Sequence, residues 1–314
     1  MGSKSAPSHF ACTACGKCCD RGPEMTLSEA TALADKFILR LIFKLHILPA
    51  DARSPSTIAW WKTQGSYLAT RQCLDEKAHH LALLSSGNKV EKINGETRST
   101  YLEISSIPIH LDGGKCPALK ESLCSIHSER PLTCRSVPFH YSRAPSTLPK
   151  YLEKFASTPG YQCDTTSDAP VVFQGGIVVD DVMERARANA IQIHRNEEGW
   201  KGAIVALVHG PDVNKRGFPS YQEIALNLRR GATSVSMKNA WILGVKLGII
   251  SQKQFFDICQ KQITLLRAEV SKASASPIPF SSPEIQVFRD MLDDYERTSP
   301  KPDWKSKLLR VLSR

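Results

Sequence analysis

The sequence predicts a mostly α chain: a mixed α+β N-terminal half, in which a small irregular β element surrounds a cysteine-rich metal site, and a helical C-terminal half. Three observations carry that expectation. Eight cysteines fall into two groups, Cys12, Cys15, Cys18 and Cys19 in one and Cys116, Cys124, Cys134 and Cys163 in the other. Apolar residues recur at helical spacing along much of the remaining chain. Only a few stretches, chiefly Thr100 to Leu111, alternate as a strand does. At 314 residues, with 41% hydrophobic and 23% charged residues, the chain has enough material for a core and does not need metal merely to fold. The composition divides it into a cysteine-cluster region over 9–165, a mainly helical region over 166–273 packed on it, and a linker with C-terminal helices over 274–314.

The run Cys12-Thr13-Ala14-Cys15-Gly16-Lys17-Cys18-Cys19 contains two overlapping C-x-x-C pairs. That spacing lets two sulfurs reach one metal from a tight turn whose N–H groups offset thiolate charge. Gly16 suits the positive φ that such a knuckle needs. Side chains of adjacent residues diverge, so Cys18 and Cys19 are expected to serve different ligand sets. Residues 1–11 lack the apolar run of an export signal, and the longest apolar stretch, Phe37 to Leu48, is interrupted by Arg40, Lys44 and His46. Both features point to a cytoplasmic chain without a transmembrane segment. A reducing compartment favours metal over disulfides for clustered thiols. Cys73 and Cys259 stand apart from the groups and read as small buried hydrophobes.

Taken in order, Thr26-Leu27-Ser28-Glu29 has the form of a capping box. It opens a helix expected to carry Leu27, Ala30, Leu33, Ala34, Phe37, Ile38 and Leu41 on one face. Ile58 to Ser85 reads as helical, anchored by Trp60, Trp61, Tyr67 and Leu68, with His79-His80 as an exposed pair. Thr100 to Leu111 is a strand that delivers Cys116 through Asp112-Gly113-Gly114, and Cys116 to Cys124 forms a small hairpin. Glu129 to Cys134 is a short helix with Pro131 in its first turn. Val171 to Val179 makes short strands about Gly175-Gly176, and Asp181 with Glu184 caps the next helix. Helices are expected at Trp200–Val208, Tyr221–Arg229, Ser234–Leu247 and Gln252–Ser271, the last burying Cys259. Ser274 to Ser282 is a linker, Ser282-Pro283 starts a further helix, and Asp303–Leu312 is a final segment packed on the body.

The pattern C-x-x-C-x-x-C-C, then C-P-x-L, then C-S-I-(aromatic)-x-x-R-P-x-x-C-R-x-x-P-F resembles the YkgJ-like or C-x-x-C-x-x-C-C cysteine-cluster family. The matching residues are Cys12, Cys15, Cys18 and Cys19; Cys116, Pro117 and Leu119; Cys124, Ser125 and Ile126; and Arg130, Pro131, Cys134, Arg135, Pro138 and Phe139. Cys163 resembles the family's final cysteine. The resemblance covers roughly residues 9–165 and implies a zinc- or iron-chelating protein, with flagellin lysine N-methylases among its relatives. His127 stands where the pattern has an aromatic, either as a stand-in or as an added nitrogen ligand. The long stretch between the two cysteine groups departs from the pattern and leaves the pairing of thiols open.

The formal net charge is +10, with a modest basic excess in both halves and no basic block. Diffuse charge of this kind gives no specific nucleic-acid signal and can balance anionic thiolate centres. No Walker loop, dinucleotide-binding glycine turn, H-E-x-x-H or serine elbow occurs. The eight thiols therefore carry the functional expectation, with Arg130 and Arg135 as cations beside a cluster. An iron–sulfur cluster, 4Fe–4S first, is favoured by the compact cysteine loop and by the Cys116-Pro117 pairing; zinc is the alternative. Three functional classes stay open. One is a redox or accessory cluster protein, another a protein-lysine N-methyltransferase-like enzyme that would need S-adenosylmethionine, and the third a structural zinc module. As an enzyme it would be an oxidoreductase or that methyltransferase, and its partner or substrate an unidentified protein.

Overall fold

The computed structural model describes residues 6–19, 21–50, 57, 67–111, 114–211, 217–228, 231–275 and 282–298. Strands β1 (Ser8–His9), β2 (Ile38–Pro49), β3 (Ser85–Ile93), β4 (Glu96–Ile109), β5 (Leu119–Lys120), β6 (Leu123–Cys124), β7 (Val171–Gln174), β8 (Ile177–Val178) and β9 (Thr233–Ser236) form three antiparallel sheets, ordered β3-β4-β2-β9, β1-β7-β8 and β5-β6. The helices are α1 (Leu27–Ala32), α2 (Tyr67–Leu84), α3 (Leu132–Arg135), α4 (Leu148–Ala156), α5 (Asp181–Asn196), α6 (Glu198–Val208), α7 (Tyr221–Leu226), α8 (Lys238–Lys246), α9 (Gln252–Ala275) and α10 (Ser282–Thr298).

The fold is mixed α/β, which overturns the mostly α expectation. The decisive segment is Ile38–Pro49, expected to begin as the end of a helix but running as a twelve-residue strand. The Thr26 capping box does form, yet α1 stops at Ala32. Beyond it, Leu39, Leu41, Phe43 and Leu45 alternate with Arg40, Ile42, Lys44 and His46, a period of two that a strand can satisfy and a helix cannot. β2 pairs along its whole length with β4, from Ile38↔Ile109 to Pro49↔Arg98. On one face Leu39, Leu41, Phe43, Leu102 and Ile104 are buried.

That apolar face is covered from the C-terminal half. Trp200, Trp241, Phe255, Cys259, Ile263, Leu266 and Tyr295 join Leu39 and Phe43 in one core. α9 contributes Phe255, Phe256, Cys259, Ile263 and Leu266 at the spacing of a buried helical face. Gln262 lies on the same helix, fully buried. Its Nε2 donates to Ala34 O and Phe37 O, both at 2.7 Å, and its Oε1 accepts from Leu39 N at 3.1 Å. A single amide thus satisfies the backbone where the chain turns from α1 into β2.

Several local expectations change. Ser234–Leu247 is not one helix: β9 pairs with β2 through Arg40↔Ser236 to Phe43↔Thr233 before α8 begins. The N-cap of α5 is Asp180, whose carboxylate accepts from Met183 N at 2.8 Å, rather than Asp181. Leu68, expected as an anchor, is 77% exposed. Trp60, Trp61 and the segment Asp303–Leu312 lie outside the described residues. Among the described residues no helix is long and apolar enough to cross a membrane.

The opposite face of β2 and β4 carries charge. His46 Nε2 meets Glu103 Oε2 at 2.7 Å, and Lys44 bridges Glu103 at 3.6 Å and also pairs with Glu24. The 5% exposed Glu103 is thereby matched. Burial alone would raise its carboxyl; His46 and Lys44 outweigh that and hold it low. Next to this face lie three more histidines. His80 and His140 share Ser142 Oγ, the His140 contact being 2.6 Å. His194 Nε2 meets Tyr141 Oη at 2.9 Å, and its Nδ1 meets Lys201 Nζ at 2.8 Å. His80 is therefore not the exposed partner of His79 that the sequence suggested.

Two expectations follow. Gln262→Leu leaves Leu39 N, Ala34 O and Phe37 O without partners in the core, so urea unfolding should show a loss of about 3 kcal/mol or more. Burial lowers the pKa of His80 to about 4 and of His140 and His194 to about 3. These imidazoles are neutral when folded and protonate near 6.5 once unfolded, so stability falls as pH drops from 6.5 toward 4. Glu24 and Glu29, raised by burial, act in the opposite sense. The net of three histidines against two carboxyls should be about 1.4 kcal/mol per pH unit or more, read from urea midpoints at pH 7, 6 and 5, and smaller in His194→Gln.

Candidate metal centre

The N-terminal cysteine loop is clasped between two segments that are distant in sequence. On one side Ala11 and Asp164 exchange backbone hydrogen bonds at 2.7 and 3.0 Å, and Thr13 Oγ1 donates to Gln162 O at 2.9 Å. This brings Cys12 and Cys15 to Cys163. On the other side Cys116 N donates to Cys19 O at 2.8 Å. Gly16, at φ +71°, lies against the β5–β6 hairpin, where a Cβ would meet the Ser122 backbone at 3.4 Å and the Leu119 side chain at 3.5 Å. The glycine therefore serves both the turn and the close approach of the two cysteine groups.

The hairpin places Cys116 and Cys124, with Leu119↔Cys124 paired and Ser125 N donating to Ala118 O at 2.8 Å. Cys134 sits on α3, which is fixed from the N-terminal segment. Glu29 Oε1 accepts from Leu132 N at 2.6 Å, and Thr133 Oγ1 donates to Glu24 O at 2.6 Å. The same Glu29 that closes the capping box thus holds the cysteine-bearing turn.

Electrostatics divide the thiols into two adjoining neighbourhoods. Burial, with added repulsion from Cys15, Cys12 and Cys18, raises Cys163 to about 11. Burial likewise raises Cys134 to about 12, assisted by Cys116, Cys18 and Cys124 and opposed by Arg130. Cys116 is raised by burial and by Cys124 and Cys18. Cys18 lies in both neighbourhoods, its sulfur 3.9 Å from that of Cys19. Through that contact Cys19 is lowered and Cys18 is raised. Cys15 is lowered by the Gln162 and Lys17 backbone N–H groups, and the Ala118 and Leu119 N–H groups act on Cys116 in the same sense. Thiols that repel one another as anions while backbone donors point at them are what a soft cation would stabilise. Among the described residues no three His, Cys, Asp or Glu side chains are already closed on one metal point.

Arg130 and Arg135 have different situations. Arg130 acts on both Cys18 and Cys134 as a nearby positive charge. Arg135 turns inward on its own loop, its Nε donating to Arg130 O at 2.7 Å and its Nη2 to Ser128 O at 3.0 Å. It shapes the His127–Arg135 turn that carries Cys134. His127 occupies the short 3-10 helix of that turn, its carbonyl accepting from Arg130 Nε at 3.0 Å. Cys73 lies half-buried on α2, and Cys259 is fully buried in the core, where burial raises it to about 12.

Sequence reading missed the polar residues that continue from the cysteine turn: His140, Tyr141, Arg143, His194, Glu197 and Lys201. Glu197 and Lys201 stand one helical turn apart and are each 2% exposed, their charged atoms 3.3 Å apart. The i, i+4 spacing was visible in sequence; the burial that makes this pair unusual was not.

No curated protein and no solved structure matches the chain. Residues 68–164 match one family model, which includes Cys116, Cys124, Cys134 and Cys163 but begins after the Cys12–Cys19 loop. That model is the CxxCxxCC "putative zinc- or iron-chelating domain", the family that the cysteine pattern of this chain resembles, and the match supports metal binding.

Proposed function

We propose that this chain is an iron–sulfur protein of redox or accessory function, with Cys12, Cys15, Cys18 and Cys163 as one thiolate set and Cys19, Cys116, Cys124 and Cys134 as the other. The observation that carries this reading is the clasping of the Cys12–Cys19 loop between the Cys116–Cys134 and Cys163 segments, which gathers eight thiols from sites up to 151 residues apart (163 minus 12). Each set offers the four sulfurs that a 4Fe–4S cluster takes. Arg130 lies where it offsets cluster charge at both sets, through Cys18 and Cys134. The backbone N–H groups at Cys15 and Cys116 are placed to tune a cluster through hydrogen bonds to sulfur. When bound, such a cluster supplies one-electron chemistry; the chain's part is to hold it, shield it and set its potential.

A zinc reading has its own support, because each set of four thiols is also complete for one tetrahedral zinc. The two are separated by composition and colour. Protein purified without oxygen from an iron-sufficient culture should be brown, contain iron and acid-labile sulfide, and bleach on dithionite reduction. A colourless preparation with stoichiometric zinc would replace the iron reading by structural zinc.

Ligand substitutions provide a further test. Cys134→Ser and Cys15→Ser should each lower bound metal and shift thermal unfolding downward by several degrees, since a lost ligand removes binding energy coupled to folding. Cys259→Ser should keep its metal, because that thiol lies in the apolar core. Equal metal content in all three variants would contradict the assignment.

A further inference from the structure

The segment that follows Cys134 leads into a cavity of about 710 Å³ between α2, α5 and the Tyr141–Pro145 loop, a volume suited to a small organic molecule. We propose that this cavity binds a small amphipathic carboxylate, its charge held between Arg143 and Lys201 and its apolar body against Leu83, Val178 and Ile191. The inference is independent of which metal, if any, the thiols hold.

Charge balance at the lining is the first reason. Of its cations, Lys201 is matched by Glu197 and Arg187 by Glu184 at 3.7 Å. Arg143 forms no ion pair among the described residues; its guanidinium lies over the Tyr151 ring at 4.9 Å, and its buried Nε has no hydrogen-bond partner. After burial, its positive charge is among the influences that hold His80 and His140 neutral. A cation placed on an aromatic face at a cavity wall, with no carboxylate of its own, is a ready site for an anion from outside.

Proton counting on the floor gives the second reason. The Lys201 ammonium has three protons. One goes to Glu197 and one to His194 Nδ1. The His194 ring must then carry its proton on Nε2 and donate to Tyr141 Oη. Thr133, next to Cys134, gives its hydroxyl proton to Glu24 O at 2.6 Å. The chain from Lys201 through His194 to Tyr141 therefore runs in one direction. Among the described residues the ammonium meets no third acceptor, and Lys201 lines the cavity, so one of its protons is available to a ligand there. Glu197 neutralises the Lys201 ammonium and is itself held by Leu27 N at 3.2 Å and Ser28 N at 2.6 Å, so Arg143 supplies the net positive charge for a ligand and Lys201 supplies a hydrogen-bond donor.

The rest of the lining sets the ligand's other end. Leu83, Val178 and Ile191 form an apolar wall, while His79, Arg195 and Glu198 are exposed at the rim. A purely polar anion would leave that wall wet, whereas an apolar chain ending in a carboxylate satisfies both parts.

Isothermal titration of the purified full-length chain with octanoate, 1-octanol and acetate tests this. Octanoate should bind saturably at one site per chain, about tenfold or more tighter than either octanol or acetate, since one lacks the charge and the other the chain. Arg143→Gln should weaken octanoate about tenfold, leave octanol unchanged, and keep the wild-type metal content and thermal unfolding. Arg143 is used because Lys201 is buried and its loss endangers folding. Octanoate binding no tighter than octanol, or binding unaffected in a folded Arg143→Gln protein, would overturn the proposal.

Discussion

The antiparallel pairing of β2 with β4 is the constraint on which the arrangement of the cysteines depends. Twelve consecutive residue pairs fix its register, and a slip of one residue would turn Phe43 and Leu45 toward the charged face and Lys44 toward the core. At the end of this ladder where Ile38 meets Ile109, Met25 and Ser106 exchange backbone hydrogen bonds of 2.8 Å, so the chain leaving the first cysteine group lies along the strand leading to the second. Gly22 passes so close to Pro108 that a Cβ there would lie 2.5 Å from Pro108 Cγ. The backbone bond from Cys116 N to Cys19 O then follows naturally. Two cysteine groups about a hundred residues apart become neighbours because a strand pairing, not a metal, has already joined their approaches.

The same pairing explains the two-sided character of the protein. One face presents alternate apolar residues to helices drawn from the C-terminal half, so the large core includes residues from Met25 to Tyr295. The other face presents Lys44, His46 and Glu103 to a layer containing His80, His140 and Ser142. Buried charge is tolerable there because each carboxylate has more than one donor. Glu29 accepts from Thr26 N and Leu132 N; Glu197 accepts from Leu27 N, Ser28 N and Lys201. These carboxylates bind α1 to α3 and to the α5–α6 junction, and so hold the turn of Cys134 from behind.

How much of this was legible in the sequence depended on the range of the interaction. Features made by neighbouring residues were readable: the Thr26 capping box, the Cys116–Cys124 hairpin, the strand over Thr100–Leu111, the apolar face of α9 and the C-x-x-C loops. The start of Ile38–Pro49 reads as helix because Phe37, Ile38 and Leu41 also fit a helical face, and only pairing with β4 and β9 decides for the strand. β9 was absorbed into a helix for the same reason, since four residues are too few to declare a period. Gln262, Lys201 and His194 are unremarkable polar residues at helical positions until their burial is known. The gathering of Cys163 with Cys12 and Cys15 rests on the Ala11–Asp164 bridge, which no local pattern announces.

The short segment from Pro131 to Pro145 is where these threads meet. It carries Cys134 and, after Phe139 in the small core with Phe10 and Phe173, it carries His140, Tyr141, Ser142 and Arg143. Arg187 fastens it from α5, donating to Phe139 O at 3.0 Å, His140 O at 2.7 Å and Arg143 O at 3.1 Å. A guanidinium that binds three carbonyl groups of this stretch leaves it little freedom. Thr133, beside Cys134, donates to Glu24 O, so the turn is tied to the segment before α1 as well. Arg130 acts on the Cys134 sulfur, whereas Arg143 and Lys201 line the cavity. The segment from Pro131 to Pro145 thus joins the cysteine-bearing turn of Cys134 to the cavity wall at Arg143, and the cation that acts on the sulfur is not the cation that faces the cavity.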